Sequence, residues 1–146
     1  MHEPPIPVLI QFAGKRFFQA AEERLQEAGL ATLHPPEGQI LAVLHSRPGM
    51  SASGVQDTLK LSKSTVSEAL NHLASLDLIE YVVNEENRRE KKIVETEKGK
   101  RHQEQAWKVL SKFEKETEKG LSQEELVVLR KALNQIIENM KGGNHG

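Results

Sequence analysis

The feature that most constrains this chain is a change of hydrophobic period near its middle. From Lys63 to about Leu76, the apolar residues Val66, Leu70 and Leu73 fall at spacings of four and three. That places them on one face of a helix. Directly afterwards, Ile79-Glu80-Tyr81-Val82-Val83 is β-branched and aromatic, which reads as a strand. A polar stretch from Asn84 to Lys91 precedes a second short strand, Lys92-Ile93-Val94-Glu95. An amphipathic helix feeding a hairpin with a charged tip leaves few architectures open.

The flanking segments are helical. Residues 6–28 carry Leu9, Phe12, Ala13, Phe17, Ala20 and Leu25 near a 3.6-residue period, with Gly29 as a stop. Pro35-Pro36 opens a second helix, whose apolar face is Ile40, Val43 and Leu44 and which ends at Pro48-Gly49. Ser51 caps a short helix bearing Val55 and Leu59, and Lys60-Leu61 links it to Ser62, the cap of the next. Thr96 caps a long helix to about Lys119, with Ala106, Val109, Leu110 and Phe113 on its apolar face and Gly120 at its end. Ser122-Gln123-Glu124-Glu125 matches a capping box. The last helix sets Leu126, Leu129, Leu133, Ile136 and Met140 at alternating threes and fours, as in a helix–helix seam, before Gly142-Gly143. The expected class is mainly α with a small β-hairpin.

Composition narrows the function. A length of 146 residues fits one domain with its own core. The absence of cysteine excludes disulfides, thiol redox sensing and thiolate metal ligation, and fits a reducing cytoplasm. No apolar run approaches the roughly 18 residues of a membrane span. The start, Met1-His2-Glu3-Pro4-Pro5, has no basic region leading into an apolar run, so no signal peptide is expected. The net charge of −1 gives no bulk attraction to nucleic acid. Any contact with DNA must come from a local basic surface.

The order helix, short helix, helix, hairpin supplies one. A helix fits the major groove, and small polar residues in its first turns let it approach base edges. Ser62-Lys63-Ser64-Thr65-Val66-Ser67 has that character, and Asn71 lies on the same polar face. Amides at the helix N-terminus favour a phosphate. The hairpin tip adds Asn87-Arg88-Arg89 with Lys91 and Lys92 behind, and an arginine on a narrow hairpin fits the minor groove. Glu85, Glu86 and Glu90 dilute this charge. The alternative is a winged-helix protein–protein interaction module without DNA binding, which the near-neutral charge favours.

These residues resemble the MarR family of winged helix-turn-helix transcriptional regulators. The likeness runs through Gly49-Met50-Ser51, Val55, Leu59, Leu61 to Ser67, Leu73, Leu78-Ile79, Asn87-Arg88-Arg89 and Thr96-Glu97-Lys98-Gly99. It implies a winged helix-turn-helix region over residues 35–96, with dimerisation helices over 6–30 and 97–141 in one domain. It also implies a homodimer whose recognition helices enter successive major grooves of a pseudo-palindrome. Family members usually release double-stranded DNA when a small organic effector binds between the dimerisation and DNA-binding parts. The expected DNA-facing residues are Ser51, Ser62, Lys63, Ser64, Thr65, Ser67, Asn71, Asn87, Arg88, Arg89 and Lys91. Three positions depart from the family pattern. Asn87 replaces an aspartate that would hold an arginine. Glu95 replaces a leucine, which questions the packing of that strand end. Gly54 stands where a helix former is expected, implying a close contact or a soft element.

No nucleophile–base arrangement, phosphate-binding glycine loop or metal hydrolase signature is present, so no enzyme, cofactor or metal is expected. The six histidines show no close ligand spacing; His2 and His145 lie near the ends, and His72 and His102 are expected at the surface. Phe12, Arg16, Phe17, His34 and Trp107 are candidates to line an effector pocket between the first, second and fifth helices. The competing reading places these aromatics in a dimer core.

Overall fold

The computed structural model describes residues 2–141; the expected stop at Gly142-Gly143, and His145, lie outside them. In chain order the elements are α1 (Ile6–Glu27), α2 (Pro35–Ser46), α3 (Ala52–Leu59), α4 (Lys63–Ser75), β1 (Ile79–Val83), β2 (Lys91–Glu95), α5 (Glu97–Thr117) and α6 (Gln123–Met140). Their boundaries follow from local chemistry. Prolines occupy the first turns of α1 and α2, where no amide donor is needed. Ser51, Ser62 and Ser122 each accept a hydrogen bond from the third amide of the helix they start. The Ser122 amide in turn donates to Glu125 at 3.0 Å, closing the capping box. Thr96 caps α5 by accepting from the Gly99 amide at 2.9 Å.

β1 and β2 pair antiparallel, with Ile79 opposite Glu95, Tyr81 opposite Ile93 and Val83 opposite Lys91. The second strand therefore starts at Lys91, one residue earlier than the sequence suggests, because Lys91 still finds Val83 across the ladder. A third short segment joins this sheet edge. The Ile93 amide donates to the Met50 carbonyl at 2.9 Å, and the Gly49 amide donates to the Ile93 carbonyl at 3.1 Å. Gly49 adopts φ +87°, a turn that side chains resist.

The chain divides into two compact units, one ending at Ser111 and one beginning at Lys112. The core of the first unit joins Ile40, Leu41 and Leu44 of α2, Val55 of α3, and Val66, Ala69, Leu70 and Leu73 of α4 to Leu78, Ile79 and Ile93 at the sheet. Leu41 takes a core position that the sequence reading gave to Val43, which is half-buried. α1 has no buried residue and exposes Ile6, Leu9, Ile10, Phe12, Phe17 and Phe18. In the second unit, α6 likewise exposes Val127, Val128, Leu129, Leu133, Ile137 and Met140. Among the described residues, no helix is long and apolar enough to cross a membrane.

Candidate nucleic-acid interface

α4 is anchored by one face and free on the other. Val66, Ala69, Leu70 and Leu73 are buried, while Lys63, Ser64, Ser67 and Asn71 are exposed. The two caps are already engaged. Ser62 Oγ accepts from the Thr65 amide at 3.1 Å and donates to Thr65 Oγ1 at 2.8 Å. Ser51 Oγ accepts from the Gly54 amide at 3.2 Å. Ser51, Ser62 and Thr65 thus set the starts of α3 and α4, and the open polar face of α4 is Lys63, Ser64, Ser67 and Asn71. Gly54 resolves to a close contact: a Cβ there would lie 2.8 Å from Met50 Cγ.

The hairpin tip is organised by amides. Asn84 Oδ1 accepts from the Glu86 amide at 3.1 Å, and Asn87 Oδ1 accepts from the Arg89 amide at 3.2 Å. Asn87 therefore shapes the turn through its backbone bond, a task that needs no charge. The Arg88 guanidinium is exposed, with Glu85 at 3.9 Å as a loose partner. Arg89 is exposed as well, and Lys91 Nζ lies 5.9 Å from the centre of the Tyr81 ring. Ser53 Oγ reaches Glu90 Oε1 at 3.4 Å, so the start of α3 touches the base of this tip.

Two buried carboxylates fix α2 between α4 and the sheet. Glu37, 2 % exposed, accepts from the His34 amide at 2.8 Å and is hydrogen-bonded to His72 Nδ1 of α4. Glu95 at the end of β2 pairs with His45 of α2. The strand end that Glu95 occupies is therefore closed by a hydrogen bond to His45 where an apolar side chain was the family expectation. The sequence offered only faint signals of this, a glutamate at the third position of a helix and a charged residue closing a strand.

The five candidate effector residues are distributed over separate surfaces. Phe12 and Arg16 share one exposed hollow with Lys15 and Gln19 on α1. His34 lines another, of about 340 Å³, with Glu37, Thr65, Glu68 and His72. Phe17 is exposed, and Trp107 is 74 % exposed on α5. Long apolar side chains that face outward on a helix leave no enclosed space by themselves.

His102 corrects the expectation of a surface residue. It is 8 % exposed on the second turn of α5, and apart from the Ala31 carbonyl its ring nitrogens have no hydrogen-bond partner. Burial lowers its pKa from the ordinary histidine value; the Ala31 carbonyl opposes that shift and Lys98 adds to it. Its ring lines a hollow of about 400 Å³ bounded by the α1–α2 linker, the α4–β1 turn and α5. Among the described residues, no three histidine or carboxylate side chains are gathered as a metal site needs.

Residues 31–90, the segment holding this interface, match the MarR family. A comparison with curated proteins finds no match. Solved structures share the fold. S. aureus MepR in complex with DNA superposes with a TM-score of 0.80 at 21 % identity, covering 95 % of this chain and 100 % of that one. The heme sensor PefR from Streptococcus agalactiae, solved with heme, gives 0.75 at 22 %, covering 96 % and 95 %. Wild-type apo MarR from E. coli gives 0.72 at 16 %, covering 92 % and 98 %.

Proposed function

We propose that this chain, a member of the MarR family through residues 31–90, is a sequence-specific double-stranded DNA-binding transcriptional regulator. The observation that carries this is the pairing of two exposed devices on one compact unit. One is the polar face of α4, Lys63, Ser64, Ser67 and Asn71, backed by buried Val66, Leu70 and Leu73. The other is the exposed Arg88-Arg89 tip of the hairpin. A capped helix with short polar side chains suits the major groove, and a guanidinium on a thin hairpin suits the minor groove. The DNA complex of MepR, which shares the fold, supports the same reading.

The finer reading has four parts. Residues 35–96 form the DNA-binding region, and the helices over 6–30 and 97–141 hold a homodimer. The exposed apolar faces of α1 and α6 support this, because exposed apolar stripes of this kind normally meet another surface. The protein acts in the cytoplasm as a repressor rather than an enzyme. A small organic effector releases it from a pseudo-palindromic operator.

Fluorescence anisotropy with duplex DNA flanking the protein's own gene tests the proposal. Sub-micromolar binding that weakens steeply with salt is the expected result. Absence of binding even at low salt overturns it and favours a winged-helix interaction module, with the apolar face of α6 as its contact surface.

A further inference from the structure

The exposed face of α4 is made largely of short side chains. Ser64, Ser67 and Asn71 hold their polar atoms close to the helix surface. Side chains of that length tolerate little error in the setting of the helix that carries them, because a contact site has to be held within about 0.5 Å and 10–20°. The buried face does not supply that precision alone. Val66, Ala69, Leu70 and Leu73 hold α4 by apolar contact, which has no preferred direction. A hydrogen bond has one, with a donor angle above about 150°.

Among the described residues, one side-chain hydrogen bond joins α4 to another helix, and it runs from His72 to Glu37 of α2. His72 follows Asn71, about 100° further round α4. Its ring is half-exposed, whereas the Glu37 side chain is buried. A carboxylate only accepts, so the proton lies on His72 Nδ1. The two oxygens of Glu37 have separate duties. Oε2 takes the His72 ring, and Oε1 takes the His34 amide at 2.8 Å, at the start of α2. If α4 turns away from α2, a buried carboxylate oxygen loses its donor, and a buried acceptor without a donor is costly. The other end of α2 is tied to the hairpin in the same manner. His45 lies about 12 Å further along the helix, and its Nδ1 meets Glu95 at 2.8 Å where β2 ends.

We propose that α2 is a polar brace, and that Glu37 and His72 are a positioning pair that sets the rotation of α4 for reading base edges. The pair acts through Ser64, Ser67 and Asn71, whose reach depends on that rotation. His45 and Glu95 tie the hairpin to the same helix, so the polar face of α4 and the Arg88-Arg89 tip are both referred to α2. The proposal rests on the DNA-binding reading for its consequence, whereas the setting of α4 against α2 is a property of the free protein.

The test compares full-length His72→Ala and His72→Asn with the parent protein. Asparagine keeps an N–H donor near the place of Nδ1 but is the poorer helix former of the two. Loss of the pair and loss of helix propensity therefore predict opposite orders. Residual dipolar couplings of the α2 and α4 amides give the angle between the helices in the free protein. His72→Ala is expected to turn α4 by about 10° or more, and His72→Asn to restore the parent angle. Anisotropy with the duplex flanking the protein's own gene and with a scrambled duplex, where all three proteins are folded, reads the consequence. His72→Ala is expected to bind the first duplex about tenfold more weakly, and His72→Asn to recover most of that loss. Affinity for the scrambled duplex and the salt slope are expected to stay unchanged. An unturned α4 in His72→Ala overturns the pair, as does a His72→Asn protein no closer to the parent than His72→Ala. A turned α4 with unchanged affinity overturns the positioning role. A salt slope reduced by about 1 in His72→Ala makes His72 a phosphate contact and overturns it too. A parent protein without DNA affinity overturns the regulator reading, and the couplings still decide the brace.

Discussion

His45 in the last turn of α2 grips Glu95 at the end of β2: Nδ1 lies 2.8 Å from one carboxylate oxygen and 3.1 Å from the other. A carboxylate only accepts, so Nδ1 carries the proton. The glutamate side chain is 4 % exposed and the histidine 49 %. Removing the histidine therefore strands a buried charge, whereas replacing the glutamate by an apolar group leaves only a half-exposed imidazole. His45→Ala should lose about 1–3 kcal/mol, and Glu95→Leu less than about 1 kcal/mol. In the Glu95→Leu background, His45→Ala should cost almost nothing. Urea midpoints of the four proteins form the cycle, and additive losses would dissolve the pairing.

Gly99 has the least room for a side chain of the described glycines. A Cβ at this position would lie 2.1 Å from the Leu78 carbonyl oxygen and 3.0 Å from its carbon, both backbone atoms. The same carbonyl accepts from the Thr96 amide at 3.1 Å, so α5 starts against the turn that ends α4. Gly99→Ala cannot be absorbed by a rotamer change and must move one backbone or the other. Its helix propensity would favour alanine by about 1 kcal/mol. The overlap should win, with a net loss of about 1–3 kcal/mol in urea unfolding. A neutral or stabilised Gly99→Ala protein would show that this contact is looser than its geometry.

Burial of His102 ties stability to pH. Its folded pKa is below the ordinary value of 6.5, with desolvation as the first cause. Between the two values the unfolded chain holds more protons than the folded one, so stability rises with pH. The contribution is fully present above pH 6.5 and is lost as pH falls through the folded pKa. Thermal midpoints should therefore decline from pH 7 to pH 5, and His102→Gln should flatten that decline. An unchanged slope in the variant would assign the acid sensitivity to other groups.

Arg88 separates positioning from reading. Its side chain is 82 % exposed and Glu85 holds it only at 3.9 Å, so its charge is free for a phosphate or the minor groove. Arg88→Ala should lower operator affinity, reduce the slope of log K against log salt by about 1, and leave thermal stability unchanged. Asn71→Ala should leave the salt slope alone and relax discrimination between operator variants. Anisotropy over a salt series distinguishes the two, and an unaltered slope in Arg88→Ala would remove the wing from the interface.

The elements and their caps were legible because each depends on neighbours in sequence. Ser51, Ser62, Thr96 and Ser122 all cap the helices they precede, and the hairpin differs from its expected bounds only at Lys91. What escaped depends on partners far along the chain. Glu37 meets His72 across 35 positions and Glu95 meets His45 across 50, and no local pattern marks a glutamate as buried. His102 was hidden for another reason. Its neighbours Lys98, Arg101 and Gln105 are polar, so the period reads as a solvated face, yet Leu30, Leu76 and Leu78 close over it. Asn87 shows the converse: the lost charge was legible, but the turn uses its amide oxygen.

Ile137 tests whether the apolar face of α6 holds two copies together. It is exposed beside Leu133 and Met140 on the same helix, at spacings of four and three. A face repeating in that way resembles half of a helix–helix seam. Because the residue is not part of the buried core, Ile137→Glu should leave helix content and thermal unfolding of the first unit intact. In a seam, however, a carboxylate would be desolvated without a partner. Sedimentation should then show the full-length protein as a dimer and the variant as a monomer of 16.4 kDa. Two linked half-site contacts bind far more tightly than one, so operator affinity should fall about a hundredfold or more in the variant. A monomeric parent protein, or a variant that stays dimeric and binds DNA unchanged, would place the subunit contact elsewhere than α6.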